Sequence, residues 1–183
     1  MATLNTFMPT LADLATRMDP DGSVAQVIEM LNQTNPVLQD MSWVEGNLPT
    51  GHKTTIRSGL PTGTWRKLNY GVQPEKSTTV QVTDTCGMLE SYAEVDKALV
   101  KLNGNEAAFR LSEDRAFIEG MNQTMASTLF YGDSSLDPEK FTGLAARYSV
   151  KSGVENGENI ILGGGSGSDN TSIYLVVWGD NTI

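Results

Sequence analysis

The sequence predicts an α+β fold, and three observations lead to that prediction. Residues 104–131 have the pattern of one uninterrupted helix, whereas residues 52–92 carry strand signals. Apolar residues make up only 39% of the chain. The polar remainder is mostly Gly, Thr, Ser and Asn, which favours long β-hairpins and ordered loops over a dense helical bundle.

The predicted helix is long for a chain of 183 residues. At 1.5 Å per residue it would run about 42 Å. A compact globule of this chain length has a radius of gyration of about 16 Å and is about 40 Å across. The length therefore predicts a subunit that completes its packing against neighbours rather than a small pocket enzyme.

An arm and a helix are predicted before residue 50. Residues 1–22 have apolar side chains at loose helical spacing, interrupted by two prolines. Ser23 and Gln26 form a capping-box pattern that begins a helix. Asn35-Pro36 is expected to end that helix.

A basic hairpin with a returning strand is predicted next. The stretches 53–57 and 63–70 flank a turn signal at 59–61. Residues 77–85 alternate valine with polar residues, which is typical of a half-exposed strand. We therefore expect three strands in this region.

Two helices follow, a short one over residues 91–102 and the long one. Asn103 is the predicted N-cap of the long helix, and Glu106 occupies the capping-box position three residues later. Two i,i+4 charge pairs are expected to support the long helix, namely Glu106–Arg110 and Arg115–Glu119. Its predicted apolar stripe consists of Ala107, Leu111, Ile118, Met121, Met125 and Leu129, widened by Phe109, Phe117 and Phe130. Gly132 and Pro138 are expected to close it.

The last segment, residues 173–178, is predicted to be a strand with two apolar faces, so an interior position is expected. A domain rarely ends directly after such a strand. The sequence therefore favours a fragment or an incomplete domain over a complete chain.

The charge distribution separates one segment from the rest. Residues 52–76 carry a net charge of +4, while the whole chain carries −9, so the remainder carries −13. This asymmetry suggests head-to-tail pairing between copies, and a solvated basic hairpin is the alternative. The overall negative charge argues against general nucleic-acid binding.

Residues with catalytic or metal-binding chemistry are few. One histidine, His52, and one cysteine, Cys86, do not provide a zinc site or an activated nucleophile. We expect Cys86 to be a small buried hydrophobe and the glycine-rich run 163–168 to be a flexible tip between strands. No P-loop, calcium loop, secretory signal or membrane span is recognisable. The sequence therefore predicts no catalytic residue, cofactor or metal.

The chain resembles a known family. The resemblance covers essentially the whole chain and is carried by two stretches. These are residues 59–133, GLPTGTWRKLNYGVQPEKSTTVQVTDTCGMLESYAEVDKALVKLNGNEAAFRLSEDRAFIEGMNQTMASTLFYGD, and the continuation PEKFTGLAARY at 138–148, which resemble the major capsid proteins of short-tailed bacteriophages. The resemblance implies the Hong Kong 97-like capsid fold. That fold has an N-terminal arm, an extended two-stranded loop, a long spine helix and an axial domain.

The resemblance implies a division of the chain into four segments. Residues 1–50 would form the arm and its helix, and residues 51–90 the extended hairpin loop. Residues 91–139 would form the peripheral domain with the spine helix at 104–131. Residues 140–183 would begin the axial or remaining peripheral sheet, which would be incomplete because family members continue beyond this point.

The implied function is that of a head protein, made in the bacterial host cytoplasm, which assembles into an icosahedral virion shell around the DNA. Its implied partners are copies of itself in pentamers and hexamers, together with scaffolding, decoration and portal proteins. The DNA would be enclosed without sequence-specific contacts, and no membrane is involved. The candidate contact residues between subunits are Lys53, Arg57, Arg66, Lys67, Lys76, Trp65, Tyr174 and Trp178.

Two alternatives remain open at this point. Another virion component, such as a tail or head-decoration protein, would contain few long helices, so the 104–131 pattern speaks against it. A small soluble enzyme would need a deep concave site with perturbed titratable groups.

Overall fold

The computed structural model describes residues 8–17, 33–102, 105–165, 167 and 170–179. The chain divides into two compact units. The first unit comprises residues 1–39 and 89–127, and the second comprises residues 40–88 and 128–183. The predicted helix beginning at Ser23 and the predicted N-cap at Asn103 lie outside the described residues.

Helices and strands both occur, as the α+β prediction requires. The strands are β1 (Gly51–Gly59) and β2 (Thr78–Thr85). The α-helices are α1 (Leu11–Thr16), α2 (Pro36–Asp40), α3 (Lys97–Leu102), α4 (Glu106–Tyr131) and α5 (Leu144–Arg147). A 3₁₀ turn spans Glu155–Asn159.

Helix α1 interrupts the segment that the sequence predicted to be an arm. A capping box begins it, because Thr10 and Asp13 each accept a hydrogen bond from the other's backbone N–H. The Thr10 N–H, followed by the Thr10 hydroxyl, holds the pKa of the Asp13 carboxyl below its ordinary value. The Thr-x-x-Asp spacing carries this signal in the sequence.

A small apolar core lies in the first unit. It consists of Leu14 of α1, Leu99 and Val100 of α3, and Phe109 of α4, with Val95 packed against them. Phe109 is only 1% exposed. Complete burial of such a side chain contributes roughly 1.5–3 kcal/mol, so Phe109 is the principal apolar contact between α4 and the two shorter helices.

The predicted apolar stripe of α4 is wrong at its N-terminal half. Leu111 and Ile118 are 54% and 63% exposed, whereas Phe109, which was predicted to widen the stripe, is buried. Apolar residues occur on more than one side of this helix, so their spacing does not select a single face. The positions of α1 and α3 select the Phe109 side.

Helix α4 runs without interruption from Glu106 to Tyr131, as predicted, and Gly120 does not break it. Its 26 residues correspond to a length of about 39 Å. Neither predicted i,i+4 pair is among the ion pairs of the described residues. Glu113 pairs with Arg17 instead, and Glu119 accepts hydrogen bonds from Gln123 and from the Gln33 N–H.

The predicted short helix begins later than expected, at Lys97 rather than residue 91. The Asp96 carboxylate accepts a 2.7 Å hydrogen bond from the Ala98 N–H. This contact satisfies one of the free amides at the start of α3, which explains why the helix begins there.

In the second unit, β1 and β2 pair antiparallel, from Gly51 opposite Thr85 to Gly59 opposite Thr78, with an irregularity between Arg57 and Gly59. The prediction of a strand at 63–70 is wrong, because residues 60–77 form the loop that joins β1 to β2. The predicted returning strand is thus the direct partner of β1. The Gly-Leu-Pro turn signal marks the start of a long loop instead of a tight turn.

The predicted strand at 173–178 is also wrong, since none of these residues lies in a strand and most of their side chains are exposed. Strand structure requires a partner for its backbone groups, and no described segment pairs with this one. Tyr174 is the exception to the exposure, because its ring packs 5.8 Å from that of Phe130.

Two smaller predictions also fail. Cys86 is exposed rather than buried. It directly follows the end of β2, where its backbone N–H donates a 3.4 Å hydrogen bond to the Thr50 carbonyl. Strands do not flank the glycine run in the described residues, and Gly164 and Gly165 adopt positive φ angles of 79° and 94°.

Gly132 and Gly120 differ in how closely other atoms approach them, so alanine at the two positions is expected to change stability in opposite directions. Gly132 is buried at the end of α4, and a Cβ there would overlap the carbonyl oxygens of Phe141 and Thr128. A Cβ at Gly120 would meet no atom within 4 Å. Gly132→Ala should therefore lower stability by about 1–3 kcal/mol, whereas Gly120→Ala should raise it by about 1 kcal/mol.

Circular dichroism during thermal unfolding measures both effects. The Gly120→Ala variant is the matched control, because it makes the same chemical change on the same helix. Equal shifts of Tm for the two variants would contradict the crowding at Gly132.

Candidate assembly surfaces

One face of the β1–β2 hairpin is basic and exposed. The register places Lys53, Thr55 and Arg57 opposite Thr83, Gln81 and Thr79, respectively. Directly opposed residues point to the same side of an antiparallel pair, so this face carries two cations and no acidic side chain. All six residues are exposed. We call this surface the basic face.

The other face of the hairpin is half-buried and attached to the second unit. It carries Ile56 opposite Val80 and Thr54 opposite Val82. At its end Asp84 forms an ion pair with Arg147, the last residue of α5. The Asn156 side chain donates a 2.6 Å hydrogen bond to the Arg147 carbonyl. These contacts orient the hairpin so that the basic face remains open.

The outer edge of β1 is partly covered. The Asn47 side-chain oxygen accepts from the Lys53 N–H at 2.7 Å, and its side-chain amide donates to the Lys53 carbonyl at 2.8 Å. Asn47 thus replaces a neighbouring strand at one position. Covering an edge in this way reduces unspecific strand pairing, and it leaves recognition to the side chains of the basic face.

The loop of residues 60–77 presents large side chains to solvent. Trp65 is 101% exposed, and Leu68 and Tyr70 are also exposed. The Glu75 carboxylate accepts from the backbone N–H groups of Thr62 and Gly63 at 2.9 and 3.2 Å. Because these bonds hold the base of the loop together and occupy its one acidic group, Arg66 and Lys67 are not neutralised within it.

The sequence-predicted contact residues fall into two sets. Six are exposed on the hairpin and its loop: Lys53, Arg57, Arg66, Lys67, Lys76 and Trp65. The five cations among them take part in none of the ion pairs found within the described residues. Tyr174 is half-buried against Phe130, and Trp178 is 46% exposed. Their role in contacts between subunits stays a prediction.

An open groove lies in the first unit, between residues 89–91 and one side of α4. Its volume is about 390 Å³. The α4 side is formed by Ala116, Phe117, Gly120, Met121 and Thr124. The Thr124 hydroxyl donates to the Gly120 carbonyl at 2.9 Å, within the helix. The groove is therefore a mainly apolar channel with Glu90 and Ser91 at its rim.

Sequence reasoning missed the residues that attach the N-terminal segment to α4. Arg17 pairs with Glu113, and its guanidinium lies 5.5 Å from the centre of the Phe109 ring. The Glu119 carboxylate accepts from the Gln33 N–H at 2.8 Å. No sequence signal marks these pairs, because the partners are distant in the chain.

The Glu119 contacts have a pH dependence with a defined sign. Hydrogen bonds from the Gln123 side chain and then the Gln33 N–H hold the pKa of Glu119 below its ordinary value of 4.5. Their stabilisation is complete above that value and is lost as pH falls through the lowered pKa. Gln123→Ala should raise the pKa of Glu119, and Asn122→Ala, which removes the weakest favourable contact, should raise it less.

Titration of the Glu119 carboxyl carbon by nuclear magnetic resonance gives both values. A pKa that is unchanged in the Gln123→Ala variant would show that this hydrogen bond does not form in solution.

Within the described part of the chain, no three His, Cys, Asp or Glu side chains are grouped so as to hold a metal ion. Among the helices described, none is long and apolar enough to cross a membrane.

The described elements include an open basic face, an exposed aromatic loop and a long uninterrupted helix. A family model described as Major capsid protein GP7 matches residues 19–183. The chain belongs to this family of major capsid proteins. It is a family of structural proteins, in agreement with the prediction that the chain is not an enzyme.

A solved structure leads to the same class. The chain is similar to a chain in a near-atomic-resolution structure of bacteriophage Epsilon15, with 44% sequence identity and a TM-score of 0.59. The match covers 77% of this chain and 42% of the Epsilon15 chain, so this chain spans less than half the length of that relative. No curated protein matches the chain.

Proposed function

We propose that this chain is part of a head-shell subunit of a tailed bacteriophage, which assembles with its own copies into an icosahedral shell around the viral DNA. Membership in the major capsid protein family is the observation that carries this proposal. The similarity to a chain of bacteriophage Epsilon15 supports it.

The distribution of apolar side chains supports association. In the described residues five apolar side chains are buried, all of them in the first unit, while 26 large apolar ones are exposed. Exposed apolar area of this extent is typical of surfaces that contact other proteins. A subunit that buries these side chains against neighbouring copies gains the free energy that its own core does not provide.

The four segments of the Hong Kong 97-like fold form part of the proposal. Residues 1–50 would be the arm, residues 51–90 the extended loop, and residues 91–139 the peripheral domain. Residues 140–183 would begin the axial or remaining peripheral sheet. The β1–β2 hairpin and α4 support these assignments, because an exposed two-stranded hairpin and an uninterrupted long helix lie in the corresponding ranges.

The proposed partners follow from charge and family. The basic face would contact acidic groups of another copy in pentamers and hexamers, because the rest of the chain carries the opposite charge. Scaffolding, decoration and portal proteins would be further partners. The chain would be made in the host cytoplasm and reside in the virion. Its net charge of −9 would limit its attraction for the packaged DNA.

Electron microscopy of the purified protein tests the proposal. Closed shells, or rings with fivefold or sixfold symmetry, are the expected result. Tubes would indicate a tail component, and particles that remain monomeric at high concentration would contradict self-assembly. Sedimentation over a concentration series provides the matching measurement in solution.

A further inference from the structure

We propose that the groove beside Gly120 receives the Trp65 side chain of a second copy of this chain. This inference rests on the proposed self-assembly and names one contact within it. Both partners are open in the structure: the groove has a volume of about 390 Å³, and Trp65 is fully exposed.

The groove has the form that a large aromatic side chain requires. Gly120 has no side chain, and the space where a Cβ would lie is empty to 4 Å, so it forms a notch in the surface of α4. Phe117, Met121 and Leu89 provide apolar walls. Its volume lies at the lower end of the range of about 300–1,000 Å³ that binding pockets occupy. Methionine adapts its shape to an aromatic partner and makes favourable sulfur contacts with it.

Trp65 and its neighbours are residue types that are enriched at the energetic centres of protein interfaces. Tryptophan and arginine contribute disproportionately to binding energy at protein interfaces, and Trp65 is followed directly by Arg66 and Lys67. The hydrogen bonds that the Thr62 and Gly63 N–H groups donate to the Glu75 carboxylate hold the base of this loop together, which reduces the entropy lost when the loop docks.

Charge selects a second copy as the occupant. Residues 90–96, which include the rim of the groove, carry Glu90, Glu94 and Asp96 and no cation. Arg66 and Lys67 flank the indole on the loop, so insertion of Trp65 brings opposite charges together. These opposite charges attract the loop to the groove and also fix its orientation there. The same chain supplies both surfaces, and copies of this chain therefore suffice for the contact.

Filling the notch tests the groove. Gly120→Leu should preserve the thermal stability of α4, because leucine is a better helix former than glycine and a Cβ at this position meets no atom within 4 Å. Its self-association constant, measured by sedimentation, should fall at least about tenfold. Arg115→Leu, which places the same side chain on the opposite side of the helix, is the matched control and should associate normally.

A double-mutant cycle then tests the pairing itself. Trp65→Ala should weaken self-association about as much as Gly120→Leu. The two changes together should cost little more than either alone, because they remove the same contact. Fully additive losses would overturn the pairing of Trp65 with the groove.

Disulfide trapping gives a direct readout that does not depend on shell formation. In a Cys86→Ser background, protein carrying Thr64→Cys is mixed with protein carrying Ser91→Cys. The mixed disulfide should exceed that of Thr64→Cys with Arg115→Cys by at least about tenfold. Adding Trp65→Ala to the Thr64→Cys protein should remove the excess.

The outcomes separate this inference from the proposed function. Trapping of the mixed disulfide without shells or rings would support the groove contact and contradict the shell. Shells that form without preferential trapping would overturn the groove contact and leave the shell. Loss of self-association in Gly120→Leu without preferential trapping would also overturn it, because another segment would then occupy the groove.

Discussion

Replacing Phe109 with alanine is expected to lower the free energy of unfolding of the first unit by about 3–5 kcal/mol. The side chain is 1% exposed and packs with Leu14, Leu99 and Val100. Its removal deletes most of the apolar contact between α4 and the two shorter helices and leaves a cavity among them. The Arg17 guanidinium also loses its aromatic partner.

Leu111→Ala is the control, because it shortens an apolar side chain two positions away on the same helix that is 54% exposed. Its effect should stay below about 1 kcal/mol. Urea unfolding followed by circular dichroism measures both variants. Equal losses in the two variants would contradict the difference in burial between Phe109 and Leu111.

Reversing two charges on the basic face is expected to abolish assembly and leave the fold intact. In the Lys53→Glu, Arg57→Glu double variant, acidic side chains would meet the acidic remainder of a neighbouring copy. Like charges opposed across an interface cost several kcal/mol. Tm should change little, because both residues are exposed and opposite neutral side chains.

Lys97→Glu with Lys101→Glu is the matched control for net charge. Both double variants change the chain from −9 to −13, but the control alters exposed positions of α3. Electron microscopy and sedimentation should show assembly in the control only. Loss of the fold in the Lys53 and Arg57 variant would mean that these residues contribute to packing within the chain.

The local elements of the chain were predictable to different degrees. The alternating valines predicted β2 correctly. A helix was predicted over residues 104–131, and α4 runs from Glu106 to Tyr131. The β1 segment was also found, but its partner was not. Residues 63–70 have strand-like composition, yet β1 pairs with residues 78–85 across an 18-residue loop, 60–77. Pairing depends on which segment returns alongside, and composition does not encode that.

The candidate surfaces were likewise predictable only in part. The exposure of Lys53, Arg57, Arg66 and Lys67 was predicted from charge, because solvating unpaired cations costs less than burying them. The groove was not predicted, since its walls come from residues 89–91 and from α4, which are separated in sequence by α3. Gly120 lies within the predicted helix, and only the structure shows that it forms a notch in the surface of α4.

The sequence by itself determined the long helix, two β-strands, the basic segment and the family resemblance, because these depend on residue order within short windows. Only the tertiary structure decided that, of the apolar residues predicted to be covered, Phe109 is buried while Leu111 and Ile118 are exposed. It also decided that residues 173–178 remain outside any strand. The physical reason is common to both: burial and strand pairing are properties of two surfaces in contact, and each segment carries only one of them.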